Sequence, residues 1–299
     1  MSNIIRPTKF EDIIGQQNVI NRLKVMTKGC KNDNSVMPHI LIDGPPGLGK
    51  TTIACAIAHE MNVNLYIANA ANLRSIKNII PYIMGISPRS VLFIDEIHRL
   101  PKIVEEFMYP VMEDFQVSMT IENKIETIDI PMFTLVGATT SGGSLSQPFY
   151  DRFTIKEHLS FYDDIDLAKL ARLNAEKLNI EVSDEDLIEI AKRSKGTPRI
   201  LNARLQWYKN YKLCHNDTLS IDEIFNIQGI DHNGFDVYDR LYINTLAKSK
   251  GSPLGLKTIS SLTGISIETI ENSIEPYMLR KSFIVRSQKG RLLNNYTIS

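Results

Sequence analysis

The sequence predicts an α/β domain built on a parallel sheet, then a small helical domain, then a C-terminal winged helix. Three observations predict it. In the first two thirds, short continuous apolar runs alternate with segments of helical period, as strands buried on both faces require. From Asp163 to about Ile227 the period is helical throughout. From about Asp231, three helical segments precede two short strand-like runs around a turn. The divisions expected from these shifts are residues 1–161, 162–230 and 231–299.

In chain order, the first apolar run is His39–Asp43, followed by a glycine-rich turn and a helix through about Met61. Asn64–Ala68, Val91–Asp95 and Phe133–Ala138 supply three further strands. Between the last two, Val117, Met119 and Ile121 alternate with polar residues. Glu122-Asn123-Lys124 can turn the chain and Ile125–Ile130 returns it, so residues of about 116–130 read as an inserted β-hairpin. Pattern alone does not separate a functional arm from a plain strand pair extending the core. In the second part, helices are expected from Asp163, over Asp184–Arg193 with Ser183 as cap, and over Arg199–Tyr211 after the Gly196-Thr197-Pro198 break. In the third, they are expected over Asp236–Lys248, Leu256–Thr263 and Ile267–Arg280. Phe283–Arg286 and Arg291–Leu293 then flank a Gln288-Lys289-Gly290 turn.

Composition narrows the function classes. Across 299 residues, 43% are hydrophobic and 23% charged, which is a globular balance. Lys plus Arg and Asp plus Glu number 34 each, so any DNA contact must come from a local patch and not from net charge. Cys30, Cys55 and Cys214 lie far apart, without zinc-ligand or disulfide spacing, which points to a reducing compartment. His98 has no second histidine or cysteine at ligand spacing and reads as a structural or coupling residue. With no apolar leader and no run near the ~18 residues that span a bilayer, a cytoplasmic protein with no membrane partner is expected.

The chemistry sits in two motifs. Gly44-Pro45-Pro46-Gly47-Leu48-Gly49-Lys50-Thr51 matches G-x-x-x-x-G-K-[ST], after a strand and before a helix. Its glycines turn backbone N–H groups toward phosphates, the Lys50 ammonium reaches the β and γ phosphates, and the Thr51 hydroxyl reaches Mg²⁺. The helix N-terminus adds its dipole. Asp95-Glu96 closes the Val91 strand, where one carboxylate can hold Mg²⁺ through water and the other can polarise an attacking water. ATP and Mg²⁺ are therefore the expected substrate and cofactor. Phosphoryl transfer also needs polar and basic groups at the γ-phosphate. Thr139-Thr140, Arg152 and Arg199 are candidates, although chemistry alone does not choose them over the other threonines and arginines.

In order along the chain stand Arg6-Pro7, Ile14-Gly15-Gln16, Gly44–Thr52 (GPPGLGKTT), Val91–Leu100 (VLFIDEIHRL), Glu113-Asp114-Phe115, Thr134–Thr140 (TLVGATT), Gly196–Ile200 (GTPRI), Glu275-Pro276-Tyr277 and Gly290-Arg291. Together these resemble the RuvB family of AAA+ ATPases, bacterial Holliday junction branch-migration motors, over nearly the whole chain. The resemblance implies an AAA+ domain with a helical lid and a winged helix. It implies ring hexamers around duplex DNA at Holliday junctions, a RuvA-like junction-binding partner and a RuvC-like resolvase. It assigns Ile5, Arg6 and Tyr162 to the adenine side, and Gly47, Gly49, Lys50, Thr51 and Thr52 to phosphate and Mg²⁺. Glu113, Asp114, Phe115 and Pro198 join the nucleotide-binding set. Asp95 and Glu96 become the Walker B pair, with Asp95 and Thr51 toward the metal. Thr139 becomes the phosphate sensor, Arg152 the finger acting in a neighbouring subunit's site, and Arg199 the lid sensor. Arg286 and Arg291 match wing arginines that contact DNA, and Lys289 lies between them. The hairpin is similar to one that docks the junction-binding partner.

The chain also departs from the family pattern. Tyr150 stands where an arginine is usual before Arg152, the hairpin is short, the stretch after Asn69 lacks the usual glycines, and Ser287-Gln288-Lys289 replaces a threonine-proline-arginine run. Independently of the resemblance, Arg280, Lys281, Arg286, Lys289 and Arg291 fall within a dozen residues with no acidic residue among them. Such a patch gives sequence-independent, salt-sensitive phosphate contact. Two competing readings are an AAA+ ATPase that remodels another DNA-bound protein complex and a nucleotide-gated DNA-binding regulator. The missing cysteine zinc cluster and the winged helix weigh against a clamp-loader form of the first, and a full hydrolytic set against the second.

Overall fold

A computed structural model describes residues 5–121, 124–215 and 219–294. They form two compact units, one holding the chain up to Gly44 with Leu48–Ser160 and the other Pro45–Gly47 with the residues from Phe161 on.

The first unit runs α1 (Gln17–Asn32), β1 (Ile40–Asp43), α2 (Lys50–Met61), β2 (Leu65–Asn69), α3 (Ile76–Met84), β3 (Val91–Asp95) and α4 (Lys102–Glu113). It continues with β4 (Gln116–Ile121), β5 (Lys124–Asp129), β6 (Thr134–Thr139), α5 (Gln147–Asp151) and β7 (Ile155–His158). Five strands pair in parallel in the order β2-β3-β6-β1-β7. Val91 to Ile94 and every residue of β6 are buried, without alternation, because helices cover both faces. Leu92, Ile94 and Leu135 pack with Met108, Phe149 and Phe153 in the main core. Each such side chain contributes roughly 1.5–3 kcal/mol through burial.

The fifth strand, β7, is absent from the expectations above because it is not an apolar run. It alternates, with Glu157 buried and Lys156 and His158 exposed. As an edge strand it has one sheet neighbour, and the Glu157 carboxylate is neutralised by Arg22 of α1. The inserted β4–β5 pair is an antiparallel hairpin with Val117 opposite Ile128. Val117 is buried at its base and Ile125 is 81% exposed. Glu122 and Asn123, expected at its turn, lie outside the described residues.

The second unit contains α6 (Asp164–Lys177), α7 (Asp184–Lys192), α8 (Pro198–Cys214) and α9 (Ile221–Ile227), then α10 (Val237–Lys248) and α11 (Leu256–Thr263). Side-chain caps start several of them: Asp163 accepts from the Asp166 N–H, Ser183 from that of Asp186, and Ser220 and Asp236 form full capping boxes. Each cap contributes about 1 kcal/mol. The segment expected as one helix over Ile267–Arg280 is interrupted. α12 (Ile267–Thr269) widens into a π turn (Ile270–Ile274) before α13 (Glu275–Arg280). Pro276 has no N–H to donate, and its ring crowds the carbonyl four residues back, which the wider turn relieves. Strands β8 (Ile284–Ser287) and β9 (Gly290–Leu293) make the wing.

Within this unit, polar contacts tie the lid helices to the winged helix. Lys195 and Asp239, both buried, form an ion pair. Arg204 Nη2 donates to the Gly234 carbonyl at 3.0 Å and Arg280 Nη2 to the Tyr162 carbonyl at 2.9 Å.

Candidate functional site

The sheet order brings the two chemical motifs together. β6 lies between β1 and β3, so the loops leaving the C-terminal ends of these three strands are neighbours, where ligands bind on open parallel sheets. β1 leads into the phosphate-loop motif. Gly44 and Gly47 have φ of 141° and 82°, and a Cβ on Gly44 would stand 2.6 Å from the Leu159 carbonyl oxygen, so only glycine fits there. Gly49, also at positive φ, leads directly into α2. Lys50 is buried and its ammonium donates to the Gly44 carbonyl at 2.7 Å, which holds it over the loop. Thr51 and Thr52 are half-buried in the first turn of α2.

At the end of β3, Asp95 and Glu96 are half-buried. Glu96 takes a left-handed φ of 51°, with its N–H donated to Asp95 Oδ1 at 3.1 Å, so the chain turns sharply as it leaves the sheet. Adjacent β6 delivers the two threonines, which the structure divides. Thr139 is fully buried; its Oγ1 accepts the Ser141 N–H and lies 2.9 Å from His98 Nδ1. Thr140 is half-buried and donates its hydroxyl to Glu96 Oε2 at 3.2 Å. His98 Nδ1 is also 3.4 Å from Glu96 Oε2, so histidine, both threonines and the glutamate form one hydrogen-bonded group across the ends of β3 and β6.

The other assigned residues of this unit lie elsewhere. Arg152 precedes β7, whose first residue, Ile155, is in register with Ile40 at the start of β1. Arg152 and Lys50 therefore lie past opposite ends of the sheet, separated by at least a four-residue strand of about 13 Å. Arg152 donates to Glu113 Oε2 at 3.0 Å and to the Pro148 carbonyl at 2.7 Å, and stacks 4.0 Å over the Tyr109 ring. Glu113 and Asp114 are exposed and Phe115 is half-buried. Glu113, Phe115 and Arg152 border a cleft of about 450 Å³ with Met37, His39 and Met112. Burial among the rings of Phe115 and Phe133 lowers the His39 pKa, opposed by its bond to the Met112 carbonyl. Glu113, Asp114 and Phe115 thus belong to the Arg152 end. Ile5 is half-buried and Arg6 exposed.

In the second unit, Tyr162 is buried with its N–H on the Gly196 carbonyl at 3.0 Å. Pro198 opens α8, and Arg199 beside it is exposed, its N–H 3.4 Å from the Gly47 carbonyl. On the wing, Lys289 and Arg286 are exposed and Arg291 is half-buried. Both arginines pair with Glu275, which is fully buried. Glu275 also accepts the Tyr242 hydroxyl at 2.7 Å. Burial alone would raise the Glu275 carboxyl; hydrogen bonds from Arg291, Tyr242 and Arg286 outweigh it and hold the carboxyl below its usual value. Arg280, counted in the basic patch, instead stacks on Phe161 at 5.3 Å. Sequence reading places Glu275 within the Glu275-Pro276-Tyr277 motif without a role and does not single out Tyr242, because neither lies among the clustered charges.

A magnesium ion suits the oxygen donors at the sheet's phosphate end, since Mg²⁺ binds through one or two carboxylates plus substrate phosphates. Among the described residues no cluster of three His, Cys, Asp or Glu forms a closed metal cage. No helix of the described residues is long and apolar enough to cross a membrane.

Comparison with known proteins gives one consistent result. Residues 5–159 match the Holliday junction DNA helicase RuvB P-loop domain, 162–231 the RuvB AAA lid domain and 232–299 the RuvB C-terminal winged helix domain. The Rhodopirellula baltica protein named Holliday junction branch migration complex subunit RuvB is 41% identical over 297 residues, covering 96% of this chain and 81% of that one. The solved Thermotoga maritima RuvB Holliday junction branch migration motor superposes with a TM-score of 0.89 at 35% identity, covering 98% of this chain and 96% of that one. A variant of the T. maritima protein matches with a TM-score of 0.88 at 34% identity, covering 98% and 96%. A P-loop unit, lid and winged helix that match end to end place this chain in the RuvB family.

Proposed function

We propose that this chain is an ATP-driven motor that moves duplex DNA through Holliday junctions, working as a ring of identical subunits. The observation that carries the ATPase part is the convergence of Lys50, Asp95, Glu96, Thr139 and Thr140 on the ends of three adjacent strands. Lys50 and the phosphate-loop N–H groups bind and orient the β and γ phosphates, with Thr51, Thr52 and the start of α2 beside them. Thr51 and Asp95 hold Mg²⁺, which when bound neutralises phosphate charge. Glu96, gripped by Thr140, orients the attacking water and accepts its proton. Thr139, expected as the phosphate sensor, has its hydroxyl on His98 and the Ser141 N–H, so it acts on the γ-phosphate through this group. The family resemblance is what assigns Ile5, Arg6 and Tyr162 to the adenine and Arg199 to sensing of nucleotide state.

The opposite position of Arg152 supports a role in another subunit's site, because its own phosphate loop is a strand's length away. Glu113, Asp114 and Phe115 then act on that same subunit-facing side. A ring hexamer is the natural assembly, with the β4–β5 hairpin as the dock for a RuvA-like junction-binding protein and a RuvC-like resolvase acting on the product. Arg286, Lys289 and Arg291 contact the DNA backbone.

The test is dissociation of a synthetic four-way junction by the protein with a junction-binding partner and ATP. Junctions should resolve into duplex arms with wild type and persist with Lys50→Ala. Dissociation by Lys50→Ala at the wild-type rate would refute ATP drive. Turnover without any junction dissociation would favour remodelling of a protein complex.

A further inference from the structure

The wing carries an arrangement that neither the sequence motifs nor the proposed DNA contact explains. Arg286 and Arg291 are direct cross-strand partners on β8 and β9. Like charges in that position repel. Between them stands the Glu275 carboxylate, fully buried, delivered by α13 immediately after the π turn. Arg286 grips Oε2 through Nε at 2.9 Å and Nη2 at 2.5 Å. Arg291 donates Nε to Oε1 at 2.9 Å and lies 3.4 Å from Oε2 through Nη2. Tyr242 closes the remaining Oε1 position. Arg291 also meets Glu271 at 3.5 Å, but the Glu271 side chain is 44% exposed and screened, whereas Glu275 cannot turn away into solvent.

The consequences are geometric and electrostatic. One carboxylate fixes both guanidinium groups within a single anion's width of each other. Each keeps Nη1 N–H groups uncommitted to Glu275, so the pair offers donors to the non-bridging oxygens of one phosphate. Their orientation is set before DNA arrives. The carboxylate also cancels one of the two positive charges, so the pair should displace counterions as one charge rather than two.

We propose that Glu275 is a positioning residue for the wing's DNA contact: it holds Arg286 and Arg291 as a single phosphate clamp of reduced charge. This rests on the reading that the wing binds the duplex backbone. The experiment is the salt dependence of duplex affinity in full-length protein, because its slope counts charge and is not moved by a merely structural loss of packing. The slope changes by about 0.9 per phosphate charge. Glu275→Gln should steepen the slope by about 0.9, and Arg286→Gln should make it shallower by about as much. The double variant Glu275→Gln with Arg286→Gln restores the charge count and should return the slope to wild type. Because it removes the uncompensated repulsion, it also serves if Glu275→Gln alone fails to fold. A double variant that keeps the shallow slope of Arg286→Gln, or a folded Glu275→Gln with unchanged slope, would overturn the proposal. If Arg286→Gln matches wild type in slope and affinity, or wild type fails to bind duplex, the wing's DNA contact fails, and the clamp with it.

Discussion

The phosphate end of the sheet and the wing both concentrate polar groups, and they do so in opposite ways. At the sheet, Asp95, Glu96 and Thr140 stay half-buried and open to a ligand. At the wing, the charges are matched internally before any ligand arrives, around a carboxylate with no exposure. The first arrangement suits chemistry, where charge must be stabilised as it develops. The second suits a repeated, sequence-blind grip, where moderate net charge permits both binding and release. Arg152 resembles the wing arginines, since a glutamate and a tyrosine ring hold it in place in its own chain.

The largest expected difference between these regions lies in turnover. Arg152→Ala should lower ATP hydrolysis by about 10³-fold, the scale of an arginine finger. In mixed assemblies it should depress activity below the wild-type fraction; strict proportionality, read by steady-state ATPase, would contradict action across a subunit boundary. Next, Glu96→Gln should cost about 10²–10³-fold in turnover with nucleotide binding retained, which equilibrium binding alongside kinetics would show. His98→Ala, which removes one partner of Glu96 and Thr139, should cost less, about tenfold; no loss would remove His98 from the coupled group.

Two effects on stability sharpen the same contrast. Lys195→Met leaves the Asp239 carboxyl buried without its cation, a change that costs about 3–5 kcal/mol and should appear as an earlier denaturation of the second unit. Burial already pushes the Asp239 carboxyl up against the opposing pull of Lys195. The smallest effect is a pH dependence at Glu275. Its folded pKa is depressed, so its stabilisation is fully present above the ordinary carboxylate value of about 4.3 and is lost as pH falls through the folded value. The stability gap between wild type and Glu275→Gln, measured by denaturant titration, should be widest near neutral pH and narrow below about pH 4. A gap that widens on acidification would contradict that sign.

What the sequence revealed follows from how local each feature is. The phosphate loop needs consecutive residues around one turn, so Gly44 to Thr51 could be read directly. The strands of the sheet centre were readable as unbroken apolar runs. β7 was not, since an edge strand with Glu157 inward presents no such run. The π turn was also hidden, because Ile267–Arg280 keeps a helical apolar period while Pro276 acts only on backbone geometry. The basic residues of the wing were visible as a cluster, but their counter-charge enters from α13, so the patch looked more positive than the fold makes it. Lys195 and Asp239 stand 44 positions apart, and nothing in either local pattern pairs them. Chemistry alone could not separate Thr139 from Thr140, and the resemblance chose Thr139; the fold buries that hydroxyl and leaves Thr140 half-buried on Glu96.

The most direct test of the motor is steady-state ATPase activity without DNA, with linear duplex, and with a four-way junction plus a junction-binding partner. The expected result is stimulation by duplex, further stimulation by the loaded junction, and loss of all turnover in Lys50→Ala. Turnover that proceeds at one rate under all three conditions would leave the ATPase intact and contradict its coupling to DNA.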